Sequence, residues 1–349
     1  MQTITIEQAI DRGQYLFVDT RSPSEYEQGH IPGAVNVPLL EDEERAVVGT
    51  LYKQCGQEQA KQKGLELVSG KLSDMVKTIS ALKNATPAAT LIVYCWRGGM
   101  RSKSVLTILE LMGITGVQLV GGYKSYRRYV QDQLANFDLR PTILVLCGST
   151  GVGKTTLLQL LSARQVPVID LEKLANHRGS AFGQVGLGKP ATAQNFDAQL
   201  LLLLNRFNDE PFLVVECESK RVGNVYLPDR LCAAMQAGRK ILVRAGVDTR
   251  VQRLIAEYTG VMQLQDPQVL KSITALTKRL GKKKVAELIK QYQAGELPEF
   301  TRALLVDYYD PLYGYETAAQ EKFDLVVDAE GLESAVVEIA QYIDRLIRG

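Results

Sequence analysis

The stretch Gly148-Ser149-Thr150-Gly151-Val152-Gly153-Lys154-Thr155 decides how the second half of the chain folds. It satisfies the pattern G-x-x-x-x-G-K-[ST] at every required position. The apolar run Thr142–Cys147 before it predicts a buried strand, and residues 156–163 after it predict a helix. Inward-pointing loop amides and the positive end of the helix dipole together predict a cradle for a phosphate or diphosphate.

The individual residues of this P-loop have expected roles. Lys154 is expected to reach the terminal phosphate, and the Thr155 hydroxyl is a candidate Mg²⁺ ligand. The pattern predicts phosphate binding and does not by itself predict ATP hydrolysis. The predicted diphosphate-binding residues are Gly148, Ser149, Thr150, Gly151, Val152, Gly153, Lys154, Thr155 and Thr156.

Strands and helices alternate along the whole chain, which predicts an α/β protein with a doubly wound parallel sheet around the P-loop. Glu216 follows a predicted strand, where P-loop proteins place an acid on the metal side; a structural hydrogen bond is the alternative. The later predicted strands are residues 166–170, 212–215, 240–244 and 323–328.

A cysteine loop follows a strand in the first half. Residues 91–94 predict the strand, and Cys95-Trp96-Arg97-Gly98-Gly99-Met100-Arg101-Ser102 leads from it into a predicted helix. Loop amides, the helix dipole and two guanidinium groups favour the thiolate form of a cysteine placed there. We therefore expect Cys95 to be a nucleophile in an anion nest made by residues 96–102, with Trp96 sealing the loop.

Composition limits the functional classes. A net charge of +2 excludes a strongly basic molecule, so a nucleic-acid surface must be a local patch. The five cysteines lack C-x-x-C spacing, which argues against a disulfide framework or a zinc site. Residues 1–10 do not resemble a signal peptide and no apolar run is long enough to cross a bilayer, so a cytoplasmic protein without a membrane partner is expected.

Two segments of the second half are candidates for substrate contacts. The polar, glycine-containing stretch 176–183 is expected to close over the phosphate, with Arg178 as a second cation. His177 could titrate there, with a structural hydrogen bond as the more common role of a lone histidine. Residues 260–320 predict a helical, basic segment that would follow an RNA backbone, with a solvated helix face as the alternative. Its predicted tRNA-binding residues are Lys271, Lys278, Arg279, Lys282, Lys283 and Lys284, with Lys290 nearby.

Residues 1–135 resemble the rhodanese domain, on the motifs Asp19-Thr20-Arg21, Gly29-His30-Ile31-Pro32-Gly33-Ala34, the Cys95 loop and Gly121-Gly122. Residues 136–349 are then the P-loop domain. Sulfur-transferring rhodaneses usually have four residues between the cysteine and the loop arginine. Here five separate Cys95 from Arg101, as in the related dual-specificity phosphatases, and we expect the wider nest to suit a phosphate-bearing donor.

Joined in one chain, these two halves resemble the tRNA 2-selenouridine synthases. The resemblance extends to the stretch from His177, the Glu216-Cys217-Glu218-Ser219 segment and Tyr309-Asp310-Pro311-Leu312-Tyr313-Gly314. It implies that geranyl diphosphate alkylates the sulfur of wobble 2-thiouridine and that selenophosphate then supplies selenium, carried on Cys95 as a selanyl-cysteine. The implied co-substrates are these two compounds, with Mg²⁺ as a candidate and no tightly bound organic cofactor.

The implied partners are the anticodon arm of a tRNA and the enzyme that produces selenophosphate. The residues themselves leave other functions open. The chain could be an ATP-dependent kinase or NTPase with a rhodanese-like sensor domain, a thiol enzyme with a passive RNA-binding P-loop module, or a phosphatase. Nucleotide consumption without tRNA, turnover that survives Lys154→Ala, or release of phosphate from an aryl phosphate would distinguish them.

Overall fold

The computed structural model of the protein describes residues 2–11, 13–258, 266–315 and 322–348. The chain divides into two compact units. The first comprises residues 1–136 and 192–201, and the second comprises residues 137–191 and 202–349. The expected boundary near residue 136 leaves out the short segment 192–201, which packs with the first unit.

The first unit is built on a parallel sheet with strand order β1-β5-β4-β2-β3. Its core is formed by apolar side chains of the central strands and the flanking helices, such as Val18, Val93 and Leu109. In chain order its elements are β1 (Gln2–Ile4), α1 (Ile6–Asp11), β2 (Tyr15–Asp19), α2 (Pro23–Gln28), β3 (Val35–Asn36), α3 (Asp42–Gln54), α4 (Gln57–Ser69), α5 (Leu72–Ala85), β4 (Thr90–Tyr94), α6 (Met100–Leu111), β5 (Val117–Leu119) and α7 (Gly122–Ala135).

The second unit is built on another parallel sheet, with strand order β12-β11-β6-β8-β7, and carries a separate antiparallel hairpin of β9 and β10. In chain order its elements are β6 (Thr142–Cys147), α8 (Lys154–Ala163), β7 (Val168–Ile169), α9 (Leu171–Ala175), α10 (Ala193–Phe207), β8 (Phe212–Glu216), β9 (Arg221–Val222), β10 (Val225–Tyr226), α11 (Asp229–Ala237), β11 (Arg239–Arg244), α12 (Val247–Tyr258), α13 (Pro267–Ala275), α14 (Thr277–Ala294), α15 (Leu297–Leu304), a π-helical turn (Leu305–Tyr309), α16 (Asp310–Tyr313), β12 (Leu325–Asp328) and α17 (Leu332–Arg348).

Helix α10 begins in the segment assigned to the first unit and continues into the second. In the first unit, its Asp197 carboxylate accepts a hydrogen bond from Arg127 Nη2 at 2.7 Å, and Asn195 Oδ1 accepts one from the His30 amide at 3.1 Å. Ala198, Leu200, Leu201 and Leu204 are buried. This apolar run of the helix is therefore part of the core.

The predicted fold class is confirmed, because both sheets are parallel and the cysteine loop and the P-loop each lie at the carboxyl end of a central strand. Of the predicted basic segment, residues 260–265 and 316–320 lie outside the described residues. The remainder is helical as expected. None of the helices in the described part of the chain is long and apolar enough to span a membrane.

Candidate functional site

The Cys95 thiol lies directly after β4 and is buried. Its sulfur accepts hydrogen bonds from the Gly99 amide at 3.2 Å and from the Ser102 hydroxyl at 3.3 Å, both at the start of α6. These donors and the helix N-terminus are arranged to stabilise negative charge on sulfur. The thiol has the surroundings expected of a nucleophile.

The shape of the cysteine loop depends on close backbone approach at Gly122. This residue has φ +59°, and a Cβ atom there would lie 2.2 Å from the Cys95 carbonyl oxygen and 2.4 Å from the Gly98 nitrogen. Only glycine fits such a contact. The loop is also held by Gln118, whose amide nitrogen donates to Gly98 O at 2.9 Å and to Ser102 Oγ at 2.8 Å.

The two loop arginines have different surroundings, and their predicted places in the anion nest stay predictions. Arg97 is exposed, whereas Arg101 donates to both carboxylate oxygens of Glu25, at 2.6 and 3.3 Å. Burial raises the pKa of Glu25, but the hydrogen bond and charge of Arg101 outweigh it and leave that pKa below its usual value. The Arg101 charge is therefore shared with a carboxylate, and the direct donors to sulfur are Gly99 and Ser102.

A buried ion pair supports the neighbouring part of this unit. Asp19 and Arg21 are both inaccessible to solvent and their side chains meet at 2.6 Å. The Arg21 guanidinium lies 3.9 Å from the centroid of the Tyr123 ring, and the ring of Trp96 lies 5.9 Å from that of Tyr123. Trp96 is 37% exposed, so it covers this cluster and still presents a face to solvent.

The P-loop connects β6 to α8, which begins at Lys154. Gly153 caps the helix in the left-handed region, with φ +96°. The Lys154 ammonium donates to the Gly148 carbonyl at 2.8 Å and contacts the Ser149 carbonyl at 3.4 Å. The lysine thus lies along the loop whose amides are expected to hold an anion.

Two arginines of α12 hold the outer side of the P-loop, and nothing in the sequence motif indicates them. Arg250 is fully buried and donates a hydrogen bond to the Thr150 carbonyl at 2.9 Å. It also forms a bidentate ion pair with Asp310. Arg253 donates to the Val152 carbonyl at 2.8 Å and to Ala329 O at 2.6 Å. These hydrogen bonds to loop carbonyl oxygens stabilise the conformation of the P-loop.

Four carboxylates interact electrostatically with Lys154 or with one another. They are Asp170, Glu172, Glu216 and Glu218. Glu216 is fully buried, and its Oε1 accepts from the Glu172 amide at 2.6 Å. Burial, then the neighbouring carboxylates, raises the pKa of Glu172 to about 8 and that of Glu218 to about 7, and raises the pKa of Glu216 well above its usual value. The cluster therefore retains protons near neutral pH.

His177 and Arg178 each contact other groups of the second unit, and their phosphate-side roles stay predictions. Hypothetical Cβ atoms at Gly183 and Gly223 would lie 2.6 and 2.7 Å from the His177 ring, so the imidazole is packed between two backbones. Burial and then Arg221 lower its pKa. Arg178 pairs with Glu257 at 2.6 Å and stacks 5.0 Å over Tyr258. Both residues stabilise the loop that follows α9.

The basic segment presents most of its predicted residues to solvent along α13 and α14. Lys284 is the exception, because its ammonium lies 3.0 Å from an Asp307 carboxylate oxygen and 3.4 Å from one of Glu287. Gly281, with φ +78°, interrupts the helical backbone between the basic residues. The more accessible members are Lys271, Lys278, Arg279, Lys282, Lys283 and Lys290.

The tyrosines after this segment have different surroundings. Tyr309 is buried, whereas Tyr313 is 38% exposed and stacks on Tyr315 at 6.1 Å. Tyr315 donates to the sulfur of Cys217 at 3.3 Å. Interaction with Cys147 and then with Tyr315 outweighs burial and lowers the pKa of Cys217 to about 6. Sequence patterns assign no role to Cys217, and the structure places it beside the P-loop strand.

These observations define the class: a rhodanese-like unit with a thiol loop and a P-loop unit joined in one chain. A family model described as "tRNA 2-selenouridine synthase AAA domain" matches residues 141–344, and one described as "Rhodanese-like domain" matches residues 4–129. The tRNA 2-selenouridine synthase of Nitrosomonas europaea is 36% identical over 82% of this chain and 76% of its own length.

The protein of the same description from Pseudomonas syringae pv. syringae is 36% identical over 86% of this chain and 87% of its own length. The chain therefore belongs to the tRNA 2-selenouridine synthase family, which confirms the resemblance drawn from the motifs. Among solved structures, shikimate kinase from Bacteroides thetaiotaomicron aligns with 58% of this chain and 98% of its own, at 18% identity and a TM-score of 0.26, which is too low to support an argument.

Proposed function

We propose that this protein is a transferase that converts 2-thiouridine at the wobble position of tRNA to 2-selenouridine in the cytoplasm. Relatives that cover most of the chain are described as tRNA 2-selenouridine synthases. The observation that carries the proposal is the pairing, in one chain, of a P-loop with a buried thiol that accepts hydrogen bonds from Gly99 and Ser102. A diphosphate and a selenium donor each have a suitable site.

The first proposed step is alkylation of the thiocarbonyl sulfur by geranyl diphosphate. Sulfur attacks the first carbon of the geranyl group, the carbon–oxygen bond breaks, and diphosphate leaves with the electron pair. The P-loop amides and Lys154 are proposed to stabilise the charge that develops on the leaving oxygen. Phosphate transfer and ATP hydrolysis have no part in this step.

The same step requires a base, because an S-alkylated 2-thiouridine has lost the proton on N3 of the ring. A catalytic base works best when its pKa lies near the operating pH. Glu172, with a pKa raised to about 8 by burial and Glu218, and Glu218, with a pKa raised to about 7 by burial and Glu216, meet that condition beside Lys154. We assign the proton to this carboxylate pair.

Mg²⁺ stays a prediction for the same site. The groups that would hold it are the Thr155 hydroxyl and Glu216, since Mg²⁺ prefers oxygen ligands and usually needs only one or two carboxylates alongside the substrate's phosphates. The diphosphate of the substrate would supply the remaining oxygen ligands. Bound there, Mg²⁺ would supply charge neutralisation.

The second proposed step replaces sulfur by selenium. The S-geranyl group makes the sulfur a good leaving group, so the C2–S bond breaks as selenium from selenophosphate bonds to C2, and geranyl thiol departs. Water takes up the phosphoryl group and phosphate is released, so the exchange needs no external oxidant or reductant. Cys95 is proposed to bind and orient the selenium donor for this attack without a covalent bond to selenium, since a selanyl-cysteine would need an oxidant. The amides and hydroxyl of residues 96–102 would hold the anionic part of the donor.

Substrate tRNA is proposed to bind along the basic segment. The accessible basic residues of α13 and α14 suit a phosphate backbone, and unpaired anticodon bases suit aromatic stacking on a side chain such as Tyr313. The enzyme that makes selenophosphate remains a proposed partner, because it would deliver this labile donor.

The experiment is mass spectrometry of nucleosides from 2-thiouridine tRNA incubated with geranyl diphosphate and selenophosphate, without ATP. Wild type is expected to give 2-selenouridine, Cys95→Ala to stop at the S-geranyl nucleoside, and Lys154→Ala to leave 2-thiouridine unchanged. A strict requirement for ATP, with ADP released, would replace the proposal by the kinase or NTPase alternative.

A further inference from the structure

An apolar cavity of about 180 Å³ lies inside the second unit, beside the P-loop. One wall is a stripe of α15 at helical spacing, and the facing wall is the last turns of α12. Thr150, a P-loop residue, and Ser180 add hydroxyl groups to the lining. The lining includes Ile255 and Tyr258 of α12 and Phe300, Thr301 and Leu304 of α15.

The cavity wall is electrically neutral. Its only titratable described groups are two tyrosines, and burial raises the pKa of Tyr258 to about 12 and that of Tyr309 above its usual value. The rings of Phe182 and Phe300 meet edge to face at 6.3 Å, which gives one side an aromatic surface. Such a lining favours a hydrocarbon and disfavours a sugar, a nucleobase or a second anion.

The position of the cavity relative to the P-loop restricts its occupant. Thr150 contributes both to the phosphate-binding loop and to the cavity lining, and Arg250 fixes the Thr150 carbonyl at 2.9 Å. A ligand with its diphosphate on the loop amides can therefore extend a tail directly into the cavity. The occupant must have an anionic head joined to a narrow apolar chain, which is the build of a prenyl diphosphate.

We propose that this cavity binds the geranyl tail of the diphosphate substrate and sets the chain length that the enzyme accepts. The inference rests on the proposed use of geranyl diphosphate in the first step. The tail would contact α12, α15 and the π-helical turn. It would not contact the apolar run of α10, which is part of the core. Selectivity then follows from cavity volume.

The test uses full-length variants that fill the cavity, Ile255→Trp and Thr301→Trp. Each methylene that can no longer be buried weakens the affinity about fourfold, so we expect geranyl diphosphate to bind on the order of 100-fold more weakly. The affinity for dimethylallyl diphosphate, which is one isoprene unit shorter, should fall much less. Inorganic diphosphate should bind as it does to wild type, which also shows that the P-loop is intact. Val306→Trp is the matched control, because Val306 is 48% exposed on the same helical stretch and is not a described lining residue.

The variant Leu304→Ala enlarges the cavity and tests the same claim in the opposite direction. The ratio of farnesyl to geranyl diphosphate affinity should rise above that of wild type. Unchanged chain-length selectivity in all three cavity variants would overturn the cavity assignment while leaving the proposed function in place. Equal binding of geranyl diphosphate and inorganic diphosphate to wild type would also overturn the cavity assignment. If wild type forms no S-geranyl nucleoside from 2-thiouridine tRNA and geranyl diphosphate, the proposed first step itself fails. Calorimetric binding curves test the cavity, and nucleoside mass spectrometry tests the first step.

Discussion

Glu172 and Glu218 hold protons that exposed glutamates lose. Burial and neighbouring carboxylates raise their pKa values to about 8 and about 7, from an ordinary value of 4.5. In the unfolded chain both would titrate near 4.5, so between that pH and about 8 the folded state binds more protons than the unfolded state. Stability therefore falls as pH rises through this range.

This linkage predicts the effect of Glu218→Gln. The amide cannot ionise, so the variant should unfold at a higher temperature than wild type at about pH 8.5. The difference should be about 2–4 °C for each kcal/mol of unfolding free energy that the substitution restores. The difference should shrink towards about pH 5. Thermal unfolding across this range measures it, with the exposed Glu299→Gln as control. An equal shift at every pH would contradict the assigned protonation.

At the same residue scale, sequence patterns identify the residues with local signatures and miss those that act across the fold. Cys95 directly follows β4, Lys154 belongs to the P-loop motif and Glu216 ends β8, so their positions on the fold could be predicted. Gln118 and Arg250 reach the two loops from distant positions in the chain, and no spacing rule connects them. The ion pairs of Arg101 with Glu25 and of Arg178 with Glu257 could not be predicted, because nothing in the sequence connects these residues.

At the scale of elements, the cysteine loop depends on the backbone contact at Gly122. In Gly122→Ala, the added methyl would sit 2.2 Å from the Cys95 carbonyl oxygen at a φ of +59°. We expect the free energy of unfolding of the first unit to fall by on the order of 2–4 kcal/mol. Selenation should be abolished and geranylation retained, as read by nucleoside mass spectrometry and denaturant unfolding.

Gly99→Ala provides the matched control for this prediction. Gly99 has φ −98°, and no atom lies within 4 Å of a Cβ placed there. Its amide, which donates to the Cys95 sulfur, is kept in alanine. A Gly99→Ala variant as damaged as Gly122→Ala would show that any added methyl disrupts the loop and would contradict the contact argument.

The strands and most helices could be predicted because apolar runs and helical periodicity are local signals. The exceptions have weak local patterns. Strand β1 is three residues long, and the β9–β10 hairpin pairs two residues from each strand. The apolar cavity could not be predicted either, since it depends on how α12 and α15 pack and not on the composition of either helix.

At the scale of the whole molecule, a net charge of +2 conceals a local basic surface. Replacing Lys278, Lys282 and Lys283 with glutamine should weaken tRNA binding and lower the slope of log K against log salt by about one for each phosphate that is no longer neutralised. Filter binding at several salt concentrations measures both. Glutamine at the exposed Lys53, Lys61 and Lys77 is the charge-matched control. Equal slopes in the two triple variants would place the tRNA surface elsewhere.

The central claim is that Lys154 and Cys95 serve successive steps, and a bypass of the first step tests it most directly. S-geranylated tRNA is prepared with wild type and geranyl diphosphate alone, isolated, and then given to each variant with selenophosphate. Lys154→Ala is predicted to form 2-selenouridine at close to the wild-type rate, and Cys95→Ala to leave the S-geranyl nucleoside unchanged. An inactive Lys154→Ala variant, or selenation by Cys95→Ala, would contradict the division of the two steps.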